Sequence, residues 1–145
     1  MDGDGYPTLD SAGIETRSIL ADDGVFTTLA FATLDGTGNR GFSFARKPGA
    51  DTQLRFEDLD LSLIDEAKVF RFGTLSLTDE PARSATYQAV AYAKSKGKLI
   101  TYDPNLRKPL WRSMEDAKQQ LLWGLRQADI CLLYTSPSPR DMRRS

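Results

Sequence analysis

The sequence predicts an α/β fold in which parallel βαβ units follow a β-hairpin, and two observations support this prediction. Between Lys68 and Ile130, strand-like apolar runs alternate with amphipathic helical runs in the order strand, helix, strand, helix, strand. Ahead of them, two segments with alternating apolar residues flank a glycine-containing turn. Strands joined by helices in this way form right-handed crossovers, so a parallel sheet is expected after the hairpin.

The hairpin is predicted over about residues 26–46. Phe26–Leu34 is rich in β-branched and aromatic residues, Asp35–Asn39 is a turn cluster, and Arg40–Arg46 alternates again. This pattern is typical of antiparallel strands joined by a short loop, which also explains the glycines without phosphate binding. Polar residues on one face indicate a small sheet that packs on one side only or covers a cleft.

The α/β core is predicted over about residues 56–130. A short helix over 60–67 leads into a strand over 68–73. A second helix is predicted over 80–96, with Asp79 as its N-cap, Pro81 in its first turn and Gly97 as its stop. Its expected buried face has helical spacing and consists of Ala82, Ala85, Ala89, Val90 and Ala93.

The second half of the core begins with a strand over 98–101. Ser113 and Asp116 then resemble a capping box, in which the hydroxyl and the acidic side chain satisfy backbone donors at a helix start. The following helix is expected to pack through Met114, Ala117, Leu121, Leu122 and Leu125, and Asp129–Ile130 opens another strand.

The composition of the 145 residues is that of an ordinary globular domain, with 40% apolar and 27% charged residues. A net charge of −1 gives no electrostatic basis for binding nucleic acid or an acidic membrane. No apolar run has membrane-spanning length and no secretion signal is visible, so a cytoplasmic protein is expected. Histidine is absent and no cluster of metal ligands is predicted, which leaves acid–base chemistry to carboxylates, lysines or tyrosines.

The last segment, residues 131–145, breaks abruptly with the preceding composition. Cys131–Asp141 matches, residue for residue, the translation of a common transposase-type sequencing adapter. The plainer alternative is a strand over 130–134 that leads into a flexible tail rich in proline and serine. We expect residues 131–145 to be non-native and residues 1–130 to be part of a longer protein.

A polar cluster follows the strand over 98–101, where Asp103, Asn105 and Arg107 occupy alternate positions. Open α/β sheets bind ligands beyond the carboxyl ends of their strands, so this cluster is a candidate site. Asp103 is better interpreted as a cap for the turn that Pro104 fixes. Functional roles are preferred for Asn105 and Arg107, whereas Trp111 is expected to be a core or interface aromatic residue.

The run Tyr102–Trp111 resembles the corresponding stretch of bacterial fructokinases in the ribokinase-like (PfkB) carbohydrate kinase family. Further matches follow in the family's order and cover roughly residues 10–130: Gly13–Thr16, Thr28–Asp35, Phe42–Arg46, Gly73–Leu77 and Glu80–Arg83. The resemblance implies a Rossmann-like core with a small β-sheet lid over a sugar site, and the hairpin over 26–46 would be part of that lid.

The resemblance also implies an ATP-dependent kinase that uses Mg²⁺ and phosphorylates a hydroxyl of a small-molecule sugar. Phe44 and Arg46 would contact the sugar from the lid; the alternative for Arg46 is a solvated arginine at a strand end. Arg107 would face the substrate or its phosphate, where its charge offsets that of the transferring phosphoryl group. Asn105 would orient the nucleotide phosphates or Mg²⁺ through water. Ala45 stands where the family often has tyrosine.

The sequence departs from the family at both ends. The family's Gly-Ala-Gly-Asp motif, which supplies the catalytic base and the anion hole, does not occur, and the first strands are absent. No catalytic residue is therefore assigned, and no turnover is expected from this chain alone. The alternatives left open are a 2-keto-3-deoxygluconate or ribose kinase, or a non-catalytic module that forms a homodimer through the lid.

Overall fold

The computed structural model describes residues 7–34, 36 and 40–132. A two-stranded antiparallel sheet precedes a three-stranded parallel sheet with the strand order β3-β4-β5, which confirms the predicted α/β class. The elements in chain order are α1 (Pro7–Ser11), β1 (Leu29–Leu34), β2 (Arg40–Ala45), α2 (Leu61–Glu66), β3 (Val69–Gly73), α3 (Ala82–Ser95), β4 (Leu99–Asp103), α4 (Met114–Gln127) and β5 (Ile130–Cys131).

The strand register places the carboxyl ends of β3 and β4 side by side. Val69 pairs with Leu99 at one end of these strands, and Gly73 pairs with Asp103 at the other. Helix α3 connects β3 to β4, and helix α4 connects β4 to β5. The loops that leave Gly73 and Asp103 therefore begin at the same edge of the sheet, where ligands bind in open α/β folds.

One face of the parallel sheet forms the core against α3 and α4. Ile100 and Tyr102 of β4 are 0% and 1% exposed, and Phe72 of β3 stacks on the Tyr102 ring with centroids 4.7 Å apart. Trp111 is 9% exposed and packs in the same cluster, so its predicted role as a core aromatic residue is confirmed. Burial of these side chains is the main source of stability in this region.

Helix α3 buries the predicted face, since Ala82, Ala85, Ala89, Val90 and Ala93 are all buried. Gly97 ends the helix with a positive φ of 67°, also as predicted. The predicted start is wrong.

The helix begins at Ala82, after Pro81, and has no side-chain cap. The Asp79 carboxylate pairs with Arg112 at 3.2 Å, while a Glu80 carboxylate oxygen accepts from the backbone N–H of Ser84 at 3.1 Å. The Asp79 carboxylate is thus used in an ion pair with Arg112, and the N-cap position is Pro81.

The predicted packing face of α4 is wrong in three of its five residues: Met114, Leu122 and Leu125 are 52%, 41% and 41% exposed. The helix instead packs through Ala117, Gln120 and Gly124, which are buried. The cause is the close approach of the sheet. A Cβ at Gly124 would lie 2.7 Å from ring carbons of Tyr102, so only the small face of α4 fits against β4.

The N-terminus of α4 confirms half of the predicted capping box. The Ser113 hydroxyl accepts from the backbone N–H of Asp116 at 3.1 Å. The Asp116 carboxylate, however, binds the guanidinium of Arg83 at 2.7 and 3.1 Å instead of returning to Ser113.

The opposite face of the parallel sheet is open. Val69, Leu99 and Ile130 are 47%, 40% and 54% exposed. Cys131, assigned to the tail from the sequence, is the second residue of β5 and pairs with Tyr102, whereas residues 133–145 lie outside the described residues. No helix in the described part of the chain is long and apolar enough to cross a membrane.

Candidate functional site

A cavity of about 400 Å³ opens at the carboxyl ends of β3 and β4. The polar residues that line it are Arg71, Thr74, Ser76, Asp103 and Asn105. The Thr74 hydroxyl donates to the backbone carbonyl of Asn105 at 2.8 Å and so ties the two loops together. The cavity therefore has a fixed polar wall at the edge of the sheet where the sequence predicts a site.

Asp103 pairs with an arginine instead of capping the turn. Its Oδ2 accepts from Nη2 of Arg71 at 2.8 Å, while its Oδ1 is buried without a partner among the described residues. An unpaired buried acceptor is costly, so this oxygen has a strong demand for a donor or a cation. Sequence reasoning missed Arg71, because an arginine within a strand carries no local signal of a partner on the next strand.

Asn105 and Arg107, the two residues of the cluster for which functional roles are predicted, contact each other. Nη1 of Arg107 donates to Oδ1 of Asn105 at 2.5 Å, and both side chains are exposed to solvent. This contact leaves most of the guanidinium donors of Arg107 free for an anionic ligand. Asn105 lines the cavity directly, whereas Arg107 reaches the site through Asn105.

A second cavity of about 280 Å³ lies between the end of the hairpin and the loop that follows β4. Phe44 and Arg46 contribute from the hairpin side, and Pro109 and Leu110 contribute from the loop. Asp79 completes the polar wall. The two hairpin residues predicted to contact substrate therefore line one cavity with Pro109 and Leu110, whereas Asn105 of the same loop lines the first cavity.

Arg46 is 7% exposed, so the alternative of a solvated strand-end arginine is wrong. Its Nε donates to Oδ2 of Asp51 at 2.7 Å and its Nη1 to the Thr78 hydroxyl at 2.6 Å. Its Nη2 donates to the Leu75 carbonyl at 2.9 Å. Substrate contact by Arg46 stays a prediction, because these protein acceptors already take most of its donors.

Asp51 receives a second hydrogen bond from the Thr28 hydroxyl, which precedes β1. Burial raises the pKa of Asp51, but the hydrogen bonds from Arg46 and Thr28 outweigh it, and the pKa lies below the ordinary aspartate value. Sequence reasoning missed Asp51 and Thr78, because their spacing from Arg46 and Thr28 fits no local motif.

The donor set suits Mg²⁺ only together with a ligand that brings further oxygens. Within the described ranges no group of three or more His, Cys, Asp or Glu side chains is placed to hold a metal ion. Asp103 lines the cavity and its Oδ1 has no partner among the described residues, and Mg²⁺ is often bound by one or two carboxylates plus substrate phosphates. Asp103 is the carboxylate here that fits that role.

Comparison with plant proteins gives close matches over most of the chain. Probable fructokinase-3 of Arabidopsis thaliana is 48% identical over 118 residues, which cover 81% of this chain and 34% of the plant protein. Fructokinase-2 of Solanum lycopersicum is 48% identical over 124 residues, which cover 84% and 37% of the two chains. The chain thus spans about a third of the length of these relatives.

Solved structures agree with this comparison. The fructokinase of Xylella fastidiosa, also solved with bound ATP, superimposes with a TM-score of 0.80 at 32% identity and covers 87% of this chain and 39% of its own. An uncharacterized sugar kinase of Pyrococcus horikoshii in complex with ATP gives a TM-score of 0.77 at 27% identity and covers 86% and 41%. The family model described as pfkB family carbohydrate kinase matches residues 7–133, and this chain belongs to that family.

Proposed function

We propose that this chain provides the lid and part of the sugar side of an ATP-dependent, fructokinase-like kinase. The supporting observation is a cleft made of two cavities that one loop lines: Asn105 lines the cavity at the carboxyl ends of β3 and β4, and Pro109 and Leu110 line the other together with Phe44 of the hairpin. Such a cleft between a covering sheet and the strand ends suits a small polar ligand. The reaction is transfer of the γ-phosphoryl group to a sugar hydroxyl.

Each residue of the cleft has a role that follows from the chemistry of its side chain. The ring of Phe44 packs against the apolar face of the sugar, while Asp103 accepts a hydrogen bond through Oδ1 from a ligand or its hydration shell. Asn105 orients the phosphates, and Arg107 offsets the negative charge on the transferring group. When bound, ATP with Mg²⁺ supplies the phosphoryl group and neutralises its charge. We assign no catalytic base to the described residues.

The proposal is tested by calorimetric titration of this chain with fructose and, separately, with Mg²⁺–ATP. We expect fructose to bind and Arg107→Ala to weaken Mg²⁺–ATP binding by about tenfold, the loss of one charged hydrogen bond. Arg126→Ala, which removes the same charge from the exposed last turn of α4, is the matched control. Absence of both binding events would refute the proposal.

Further measurements identify the sugar that binds and test the non-catalytic alternative. Ribose and 2-keto-3-deoxygluconate are titrated beside fructose, and the tightest binder assigns the substrate. Coupled-assay turnover with any of them is expected to stay at the level of a blank. A homodimer through the lid that binds no sugar, detected by sedimentation, would favour the module instead.

A further inference from the structure

We propose that Asp51, Arg46 and Thr28 form a clasp that fixes the hairpin to the α/β core, with Asp51 and Arg46 acting as positioning residues. The hairpin needs such a joint because its first strand contributes little apolar burial. Every residue of β1 is exposed, including Leu29 and Phe31 at 52% and 54%. Isolated two-stranded hairpins are marginally stable, so contacts at the base must hold this one in place.

The clasp contacts the chain on both sides of the hairpin, at the base where the two strands meet the core. Thr28 lies just before β1 and Arg46 just after β2, and both donate to the carboxylate of Asp51. Nη2 of Arg46 also lies 2.6 Å from Oδ2 of Asp51, which makes the ion pair bidentate from the arginine side. The backbone N–H of Ala50 donates to the carbonyl of Phe26 at 3.0 Å and closes the same junction.

The remaining donors of Arg46 attach this junction to the core. Nη1 reaches the hydroxyl of Thr78 and Nη2 reaches the carbonyl of Leu75, both in the segment between β3 and α3. Thr78 is 1% exposed, so Nη1 of the arginine is bound to a buried hydroxyl of the core. Charge-assisted bonds to buried partners are stronger and more directional than surface ion pairs.

Gly49 shows how tightly the clasp is packed. A Cβ at this position would collide with the Thr28 hydroxyl and would lie 2.9 Å from Oδ1 of Asp51 and 3.0 Å from Cγ of Arg46. We expect an added Cβ to displace the Thr28 hydroxyl and the Asp51 carboxylate from each other. The clasp is therefore accessible to a test that changes no charge, through Gly49→Ala.

The functional meaning of the clasp rests on the proposed kinase activity. Arg46 lines the cleft next to Phe44, and its donors bind Asp51 and Thr78 at the base of the hairpin. The arginine thus sets where Phe44 stands relative to the loop with Asn105 and Arg107. The clasp itself is testable without sugar or nucleotide, so its failure and the failure of the proposed function are distinguishable.

The test measures the distance between the hairpin and the core in the full chain by double electron–electron resonance between two spin labels. Spin labels are attached at Ala32→Cys in β1 and Lys118→Cys in α4, both exposed, in a Cys131→Ser background. We expect Asp51→Asn, Thr28→Val and Gly49→Ala each to broaden the distance distribution by about twofold, because the hairpin samples more orientations.

Two controls separate positioning from a general loss of structure. Thr28→Ser keeps the hydroxyl and is expected to retain the narrow distribution. Asp23→Asn removes the same charge from a residue that lines a cavity together with Asp51, and it is expected to leave the distribution unchanged. Unchanged widths in Asp51→Asn and Thr28→Val would overturn the proposal. If Asp51→Asn fails to fold, identical distributions for Thr28→Val and Thr28→Ser would overturn it equally.

Discussion

The hairpin and the α/β core of this protein are held in place by different forces. The core buries Ile100, Tyr102 and Phe72 on one face of a parallel sheet, under two helices. The hairpin exposes all of β1 and joins the core through the ionic and hydroxyl contacts of Arg46 and Asp51. Changes of side-chain volume should therefore damage the core, whereas changes of charge should act on the hairpin and on the cleft beside it.

The largest expected effect compares adjacent residues on the two faces of β4. Ile100→Ala should lower the free energy of unfolding by about 3 kcal/mol, because it leaves a cavity in a core position that is 0% exposed. Leu99→Ala, at a position 40% exposed on the open face, should cost less than about 1 kcal/mol. Urea unfolding followed by tryptophan fluorescence measures both, and equal costs would contradict a one-sided core.

A smaller effect is expected from Gly124→Ala in α4. Glycine to alanine normally favours a helix by about 1 kcal/mol, but here the added Cβ meets the Tyr102 ring. We expect a net loss of about 2 kcal/mol from overpacking. Lys118→Ala on the exposed side of the same helix is the control and should change stability little. Stabilisation by Gly124→Ala would show that the sheet and α4 are not in close contact.

The variant Arg83→Ala tests whether removal of a polar contact inside the core affects the position of the hairpin, as removal of the clasp is expected to do. Arg83 donates to the carbonyl of Leu77 at 2.7 Å and binds both oxygens of Asp116, joining the first turns of α3 and α4. We expect a loss of about 1–2 kcal/mol in unfolding free energy with the hairpin-to-core distance unchanged. A change in that distance would mean that the two regions are coupled through α3.

The smallest effect is a pH dependence of the hairpin. The pKa of Asp51 is lowered in the folded protein, so its contribution is full above the ordinary aspartate pKa of about 4 and is lost as pH falls through the folded value. Because Asp51 is half-exposed, the contribution should stay below about 1 kcal/mol. Arg46 faces Asp51 on one side, with Asp79 3.9 Å from its Nη1, while a cavity on the other side is lined by Asp22, Asp23 and Asp58.

The measurement is the spin-label distance distribution between pH 7 and pH 3. Broadening is expected only at the acidic end in the unmodified hairpin, and Asp51→Asn should be broad throughout. Broadening that occurs at the same pH in both proteins would assign the titration to another of the neighbouring carboxylates.

The difference between the two regions also explains what the sequence predicts and what it does not. The buried face of α3 follows from small apolar residues at helical spacing, and the structure confirms each of them. The face of α4 does not, because leucines dominate its pattern while the residues buried against the sheet include Ala117 and Gly124 and exclude Leu122 and Leu125. Hydrophobic spacing identifies a helix but does not reveal how closely the neighbouring sheet approaches it.

The candidate site also combines contacts that the sequence predicts with contacts that it does not. Asn105 and Arg107 are near each other in the chain, so their proximity was predictable from a local motif. The partners of Arg46 and Asp103 come from other elements and fit no spacing rule. The sequence pattern likewise predicts that Asp79 caps a helix, whereas in the structure its carboxylate pairs with Arg112. Long-range polar pairs are the part of this molecule that required a structure.

The most direct test of the central claim, that hairpin and core enclose a sugar cleft, is an amide NMR titration of the chain with fructose. We predict shifts on both sides of the cleft, at Phe44 in the hairpin and at Asn105 and Arg107 in the loop. Amides at the opposite end of the sheet, at Val69 and Leu99, should stay unchanged. Shifts confined to one side, or none at saturating fructose, would contradict the account.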